Sequence, residues 1–297
     1  MGMVEFLTDR FPDEKSATDF FIEKRWGKDI RCPYCASERV YIGKTKQPFK
    51  CGQCNRKFTA KTGTIMEGSH VDIRIWLLAM YIMGTARKGI SSIQLGKQLG
   101  VTQKTAWFMG QRIRQACDEV GKLKGIVEVD EVYIGGKEHN KHMNKRFNSG
   151  RGVANKIPVV GLKERGGKVI VRVVKNTSAR TLQGLIEQNV MAKSAVMTDD
   201  HRSYHGLWAK GYKHHVVKHS TYEYVDGISN TNSMESFWAL LKRGLYGTYH
   251  NVSKKHLQRY VNEFAFRAGS GGVAFNFMDA VCLKANNDVI QYKQLTR

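Results

Sequence analysis

The 297-residue sequence is short of acidic residues and has no long apolar run. Only 26 Asp and Glu accompany 48 Lys and Arg, which gives a formal net charge of +22. So basic a chain attracts polyanions and repels itself when no partner is bound. No apolar stretch reaches the ~18 residues of a membrane-spanning helix, and the opening MGMVEFLTDRFPDE is too acidic for a signal peptide. We therefore expect a cytoplasmic, nucleoid-associated protein without membrane attachment that binds nucleic acid.

Cysteine is scarce as well, and its placement is informative. Four of the six cysteines form two CxxC pairs, CPYC and CGQC: Cys32, Cys35, Cys51 and Cys54. Each pair can bend into a turn that brings two thiolates into one tetrahedral coordination sphere, and the segment between the pairs is rich in strand-forming residues. Disulfides are the alternative, but a reducing cytosol disfavours them. The pattern predicts a zinc ribbon with one structural Zn²⁺, closed by four thiolates and therefore not catalytic.

The segment after the ribbon has the signals of two short helices joined by a turn. Ser91 and Thr102 are suitable N-caps, and Gly100 lies between the two apolar-periodic stretches. This order is typical of a helix-turn-helix.

Helical phase divides the second of these helices into two faces. At ~100° per residue, one arc is apolar and should be buried: Ala106, Met109, Gly110, Ile113 and Cys117. A separate arc carries amide, cationic and indole groups that can reach bases or phosphates: Gln103, Lys104, Trp107, Gln111 and Arg114. We predict that the second arc contacts DNA; the alternative is an ordinary solvated face.

The remainder of the chain alternates strand-like and helix-like stretches. Strands are predicted near residues 126–135, 157–162, 169–174, 195–198 and 214–217, with a helix over 179–190 and further helices beyond Ser233. The fold class is therefore α/β with a mixed sheet. Four basic residues between the first two strands, which we expect to bind DNA, lie in a predicted mobile loop: Lys141, Lys145, Arg146 and Arg151.

Three carboxylates in this region have the placement of a metal site. Asp130 and Asp199 follow β-rich runs and are expected at strand ends, while Glu235 falls in the first turn of a predicted helix. Lys242 lies seven residues after Glu235, about two helical turns, so the two side chains share a face. Carboxylates that converge in this way can bind Mg²⁺ or Mn²⁺, and a nearby cation can hold a phosphate.

Longer motifs around these acids resemble a known family. VEVDEVYIGG, TDDHRSY and NTNSMESFWALLKRGLYGTYHNVSKKHLQRYVNEFAFR, with the entry RFPDE…RWG…CPYC, are similar to the ISXO2-like transposases of the IS1595 insertion-sequence family. The resemblance implies an RNase H-like catalytic domain that uses Asp130, Asp199 and Glu235, with Lys242 as the basic residue. It also favours Asp199 over the adjacent Asp200. RAGSGGVAF after Arg267 departs from the family pattern and leaves the carboxy-terminal boundary open.

The expected organisation is an amino-terminal helix and zinc ribbon over 1–65, a helix-turn-helix domain over 66–124 and the catalytic domain over 125–297. The resemblance implies a DNA transposase that binds terminal inverted repeats as a homo-oligomer and performs metal-dependent strand cleavage and strand transfer. Two alternatives remain open: a DNA-binding regulator with an inert catalytic domain, and a metal-dependent nuclease that cuts without joining. Strand alternation places Glu128 on the face of Asp130 and Glu131 on the other face.

Overall fold

The computed structural model describes residues 2–43, 48–136, 142–146, 156–217, 232–271, 273–285 and 290–296. The chain forms two compact units, one of Met1–Asp118 with Ser270–Arg297 and the other of Glu119–Gly269. This division differs from the boundaries expected from the sequence. Residues 270–297, which the expected boundaries place in the catalytic domain, group with the amino-terminal unit, where their apolar helix packs on an apolar helix that lies far earlier in the chain.

The amino-terminal unit begins with two helices and a small antiparallel sheet of order β1-β2-β3. Its first elements are α1 (Met3–Glu5), a π-helical turn (Phe6–Arg10), α2 (Glu14–Trp26), β1 (Val40–Ile42), β2 (Phe49–Cys51) and β3 (Lys57–Phe58). Asp13 caps α2 by accepting a 2.8 Å hydrogen bond from the Ser16 N–H. At the other end of α2, the Trp26 ring packs edge-on against Phe49 and Phe58, so the helix closes the core of the sheet.

The described part of this unit continues with the helices α3 (Ile73–Thr85), α4 (Ser92–Leu99), α5 (Gln103–Ala116), α9 (Ala274–Leu283) and α10 (Tyr292–Thr296). The predicted caps are confirmed, since Ser91 and Thr102 each accept a 3.2 Å hydrogen bond from a main-chain N–H of the following turn. Gly100 ends α4 with a left-handed φ of 68°, a conformation that glycine adopts without strain. Helix α9 lies close against α3 at Gly84, where a side chain would meet the Ala274 backbone.

The second unit is a mixed five-stranded sheet of order β6-β5-β4-β7-β8 with helices on both faces. Its elements are β4 (Ile126–Ile134), β5 (Ile157–Glu164), β6 (Val169–Val173), α6 (Ala179–Asn189), β7 (Ala195–Asp199), β8 (Lys213–Val217), α7 (Asn232–Gly247) and α8 (Lys254–Gly269). Strands β4, β5 and β6 pair antiparallel, while β7 runs parallel to both β4 and β8. The predicted mixed α/β class is confirmed.

Alternation along the strands separates two apolar cores. Val132 and Val159 face α7 and α8, where they pack with Trp238 and Phe264. Val129, Val160 and Val196 face α6 and pack with Leu182 and Tyr204. The sheet is therefore covered on both sides, and this fixes which strand residues reach each layer of helices. In the part of the chain that the structure describes, no helix has the length and apolarity needed to cross a membrane.

Candidate functional site

Two of the predicted acids lie on neighbouring parallel strands. Ile126 of β4 pairs with Ala195 of β7, and Glu128 pairs with Met197. The same offset carried two residues further sets Asp130 level with Asp199, the last residue of β7. Contrary to the expectation, Asp130 is not at a strand end. Strand β4 continues to Ile134 in its antiparallel pairing with β5. It lies just beyond the point where pairing of β4 with β7 stops.

The Asp130 carboxylate is held by two N–H donors. Its Oδ1 accepts a 2.8 Å hydrogen bond from the Glu131 main chain, and its Oδ2 accepts a 3.0 Å bond from the Trp238 indole of α7. Burial is the main cause that raises the pKa of Asp130 to about 6; the negative charges of Asp199 and Glu235 contribute to the rise, and the two hydrogen bonds oppose it. The three acids therefore lie near enough to interact, and their combined charge suits a divalent cation.

A glycine lets α7 approach the sheet at this point. Gly161 of β5 is the cross-strand partner of Asp130. A Cβ at Gly161 would lie 2.7 Å from Cζ2 of Trp238, closer than van der Waals contact allows. The absence of a side chain at Gly161 thus allows the Trp238 indole to reach Asp130.

The other predicted catalytic residues differ in exposure. Asp199 is half-buried and its Oδ1 accepts a 3.2 Å hydrogen bond from the His201 N–H, whereas the adjacent Asp200 is exposed. Glu235 lies in the first turn of α7, and both Glu235 and Lys242 are exposed. The carboxylate oxygens of the three acids do not all lie within 4.8 Å of one another, so at least one pair of these acids is farther apart than that.

A fourth carboxylate, Glu131, adds to the charge of the site. It lies on the opposite face of β4, as alternation predicts, and accepts a hydrogen bond from the hydroxyl of buried Tyr204. Burial raises the pKa of Glu131, and the charges of Asp199 and Asp130 contribute to this rise. Strand alternation does not predict this contribution, and the one sequence signal for it is the adjacent pair of acids, Asp130 and Glu131, within β4.

The four cysteines of the ribbon form a compact cluster. Sγ of Cys32 lies 3.7 Å from Sγ of Cys54, and Sγ of Cys35 lies 3.6 Å from Sγ of Cys51. Tetrahedral zinc with Zn–S bonds of about 2.3 Å requires sulfur separations of about 3.8 Å, so the cluster fits a zinc ion. Main-chain N–H groups of Cys54 and Gln53 lower the pKa of Cys51 to about 6, which favours the thiolate that binds metal. Among the described residues, this is the one group of three or more potential ligands within 4.8 Å of one another.

The predicted DNA-contacting arc of α5 is only partly on the surface. Gln103 and Lys104 are exposed and Trp107 is half-buried. Gln111 and Arg114 are buried, with 0% and 4% of their surface exposed, so the prediction that they face DNA is wrong. Most of the carboxy-terminal half of α5 is buried, with Gln115 half-buried, and helical phase alone does not reveal this burial. The predicted apolar arc, from Ala106 to Cys117, is buried as expected.

The carboxy-terminal helix α10 covers part of the same face. The Lys104 ammonium lies 4.6 Å from the centre of the Tyr292 ring, and Trp107 packs edge-on against that ring. In the predicted basic loop, Arg146 is exposed. Lys141, Arg151 and the side chain of Lys145 lie outside the described residues.

Comparison with known proteins identifies the class of protein. The family model of the ISXO2-like transposase domain matches residues 122–269, and that of the transposase zinc-ribbon domain matches residues 12–57. A protein in transposable element ISH50 of Halobacterium salinarum is 32% identical over 271 residues, covering 86% of this chain and 91% of the relative. A transposase-like protein of Haemophilus influenzae is 33% identical over 105 residues, covering 34% of this chain and 80% of the relative. The chain is thus a transposase-type protein. It belongs to the ISXO2-like transposases of the IS1595 insertion-sequence family.

Proposed function

We propose that this chain is an active insertion-sequence transposase that binds the terminal inverted repeats of its element and cuts and joins DNA strands. The observation that carries the proposal is the convergence of three acids from separate elements. Asp130 and Asp199 are level on neighbouring parallel strands, and the helix that carries Glu235 is bonded to Asp130 through Trp238. Because the chain belongs to a transposase family, we infer that these three acids form a metal-dependent catalytic site.

The architecture supports the same assignment. A three-strand antiparallel meander followed by two parallel strands, with helices on both faces, is consistent with an RNase H-like catalytic domain. Helices α4 and α5, joined through Gly100, have the order of a helix-turn-helix. We infer that the exposed first turn of α5, with Gln103 and Lys104 and with Trp107 beside it, contacts DNA together with Arg146 and the predicted basic loop. The active form is a homo-oligomer assembled on paired element ends.

The chemistry follows from the acids. Asp130, Asp199 and Glu235 would hold two Mg²⁺ or Mn²⁺ ions, which when bound activate an oxygen nucleophile and neutralise charge at phosphorus. Asp130 is central, since its two hydrogen bonds fix the carboxylate while leaving further lone pairs for a ligand. Lys242, two turns after Glu235, would hold a phosphate of the DNA strand. Cleavage and joining are both displacements at phosphorus, so the same residues serve both steps.

A strand-transfer assay tests the proposal. Purified protein is incubated with Mg²⁺ or Mn²⁺, a labelled duplex carrying the sequence that borders the gene, and a plasmid target. We expect 3′-end cleavage and covalent joining. Asp199→Asn should lose both activities, because a metal-binding carboxylate is gone. Its matched control, Asp200→Asn, changes the exposed neighbour and should keep them.

The two alternative functions give different outcomes. A protein that cuts the duplex but never joins it to the plasmid is a nuclease. A protein that binds the duplex without cutting it, under conditions where both metals are supplied, is a DNA-binding regulator. Either result refutes the transposase proposal.

A further inference from the structure

We propose that Glu128 is a positioning residue that fixes the first turn of α7 and thereby sets where Glu235 stands relative to Asp130 and Asp199. This inference rests on the proposed function, since it assigns Glu128 a role in forming the metal site. The Glu128 side chain has 0% of its surface exposed and lies on the same face of β4 as Asp130. A buried carboxyl group is costly unless several partners satisfy its hydrogen-bonding capacity.

The partners of Glu128 connect β4 to the start of α7. Its Oε2 accepts a 2.7 Å hydrogen bond from the Ser233 hydroxyl and a 3.1 Å bond from the Met234 main-chain N–H. Its Oε1 lies 3.2 Å from Nε of Arg165, which supplies the opposite charge. A carboxylate that binds an N–H of the first helical turn caps the helix and interacts favourably with its dipole. Glu128 thus does from a distant strand what an N-cap residue does locally.

A neighbouring lysine strengthens the same attachment. Lys163 of β5 is the cross-strand partner of Glu128, and its ammonium donates a 3.0 Å hydrogen bond to the Ser233 carbonyl oxygen. Ser233 is therefore bound through both its side chain and its main chain. The helix start is tied to two adjacent strands.

Glu235 lies between two anchors of α7. The first is the Glu128 contact at Ser233 and Met234, and the second is the Trp238 indole bonded to Asp130. The two contacts involve Glu128 and Asp130, which are two residues apart on β4, so they fix the position of α7 along this strand. They also fix the orientation of the helical turn that carries Glu235. Loss of the first anchor would let this turn fray, because the first N–H groups of a helix have no intrahelical partner.

Metal affinity measures this role directly. The probe is Mn²⁺ alone, titrated by calorimetry or by electron paramagnetic resonance, with the site defined as the binding that Asp130→Asn removes. Changes to groups that orient metal ligands typically cost 10–100-fold in affinity. We expect Ser233→Ala to weaken Mn²⁺ binding by about tenfold, and Glu128→Gln to weaken it further because the amide offers Arg165 no charge.

Three matched variants separate positioning from general stability. Ser233→Thr keeps the hydroxyl and should restore Mn²⁺ affinity to near the wild-type value. Ser236→Ala removes an exposed hydroxyl from the same helical turn and should leave affinity unchanged. Glu235→Gln provides the background for a double-mutant cycle: if Ser233 acts through Glu235, Ser233→Ala should have almost no further effect there. Ser233→Ala changes little volume, so the test holds even if Glu128→Gln fails to fold.

Each outcome bears on one proposal or the other. Wild-type affinity in Ser233→Ala overturns the positioning role, as does an equal loss of affinity in the wild-type and Glu235→Gln backgrounds. Loss of thermal stability without loss of Mn²⁺ affinity also overturns it, because Glu128 then serves the fold alone. The proposed function fails separately, if wild-type protein has no Mn²⁺ site that Asp130→Asn abolishes.

Discussion

Replacing Asp130 by Asn should stabilise the metal-free protein at the same time as it abolishes catalysis. Burial and neighbouring acids raise the pKa of Asp130 from the ordinary value of 3.8 to about 6. A shift of roughly two units corresponds to about 3 kcal/mol of unfavourable free energy for the charged form in the fold. Asn removes the charge, but its amide group cannot accept both of the hydrogen bonds that Asp130 accepts, which costs about 1–2 kcal/mol. We expect a net gain of about 1–2 kcal/mol at pH 8.

The pH dependence has a defined sign. An acid whose pKa is raised on folding binds more protons in the folded state, so its contribution to stability is complete below pH 3.8 and is lost as pH rises through about 6. The advantage of Asp130→Asn should therefore be greatest above pH 7, shrink between pH 6 and pH 4, and reverse below that. If Asp130 binds the proposed metal, excess Mn²⁺ should invert the order at neutral pH, because a ligand that binds only the folded wild-type protein stabilises it.

Thermal unfolding in EDTA across this pH range, repeated with excess Mn²⁺, measures these differences. A gain of 1–2 kcal/mol corresponds to roughly 2–8 °C in Tm for a unit of about 150 residues, which is the size of Glu119–Gly269. Asp200→Asn is the control and should change stability by less than about 0.5 kcal/mol, since Asp200 is exposed. A variant that is less stable than wild type at pH 8 without metal, or a difference that does not vary with pH, would refute the reasoning.

Three further predictions concern packing, zinc and a buried cation. Gly161→Ala places a Cβ 2.7 Å from the Trp238 ring and should lower the free energy of unfolding by about 1–3 kcal/mol in denaturant titrations. Gly184→Ala, in a helix with open space around it, should instead raise it by about 0.5–1 kcal/mol. Metal analysis should find one zinc per chain that Cys54→Ser removes and Cys117→Ala retains; equal zinc in both variants would contradict the ribbon site. The Arg112 guanidinium donates hydrogen bonds to three main-chain carbonyl groups. Arg112→Met should therefore lower the free energy of unfolding by about 2–5 kcal/mol in the same titrations. A loss below about 1 kcal/mol would show that these hydrogen bonds contribute little to stability.

Local patterns were sufficient for most of the secondary structure. The strand predicted over 195–198 extends over Ala195–Asp199, and the helix predicted over 179–190 extends over Ala179–Asn189. These predictions succeed because β-branched runs and helical periodicity are properties of the segment itself. The caps at Ser91 and Thr102 are local in the same sense.

Features that depend on contacts distant in sequence were not predictable in the same way. Nothing near Gly161 indicates that an indole must pass over it, since the register with β4 and the approach of α7 decide this. Gln111 and Arg114 have the polarity of surface residues, yet the fold encloses them. The apolar segment AFNFMDAVCL predicts a buried helix but not that it packs on α3.

Residues 270–297 belong to the amino-terminal unit although they follow the second unit in the sequence. This order has a consequence for how the chain folds during synthesis. Helix α9 packs on α3, and the Ala285 carbonyl oxygen accepts a 3.0 Å hydrogen bond from the Ile65 N–H. The ribosome therefore completes Glu119–Gly269 before it supplies the last pieces of the first unit. Domains usually fold in order of synthesis, but here the second unit is the first to have all its parts. Nascent chains that stop at Gly269 would leave the apolar face of α3 uncovered and dependent on chaperones.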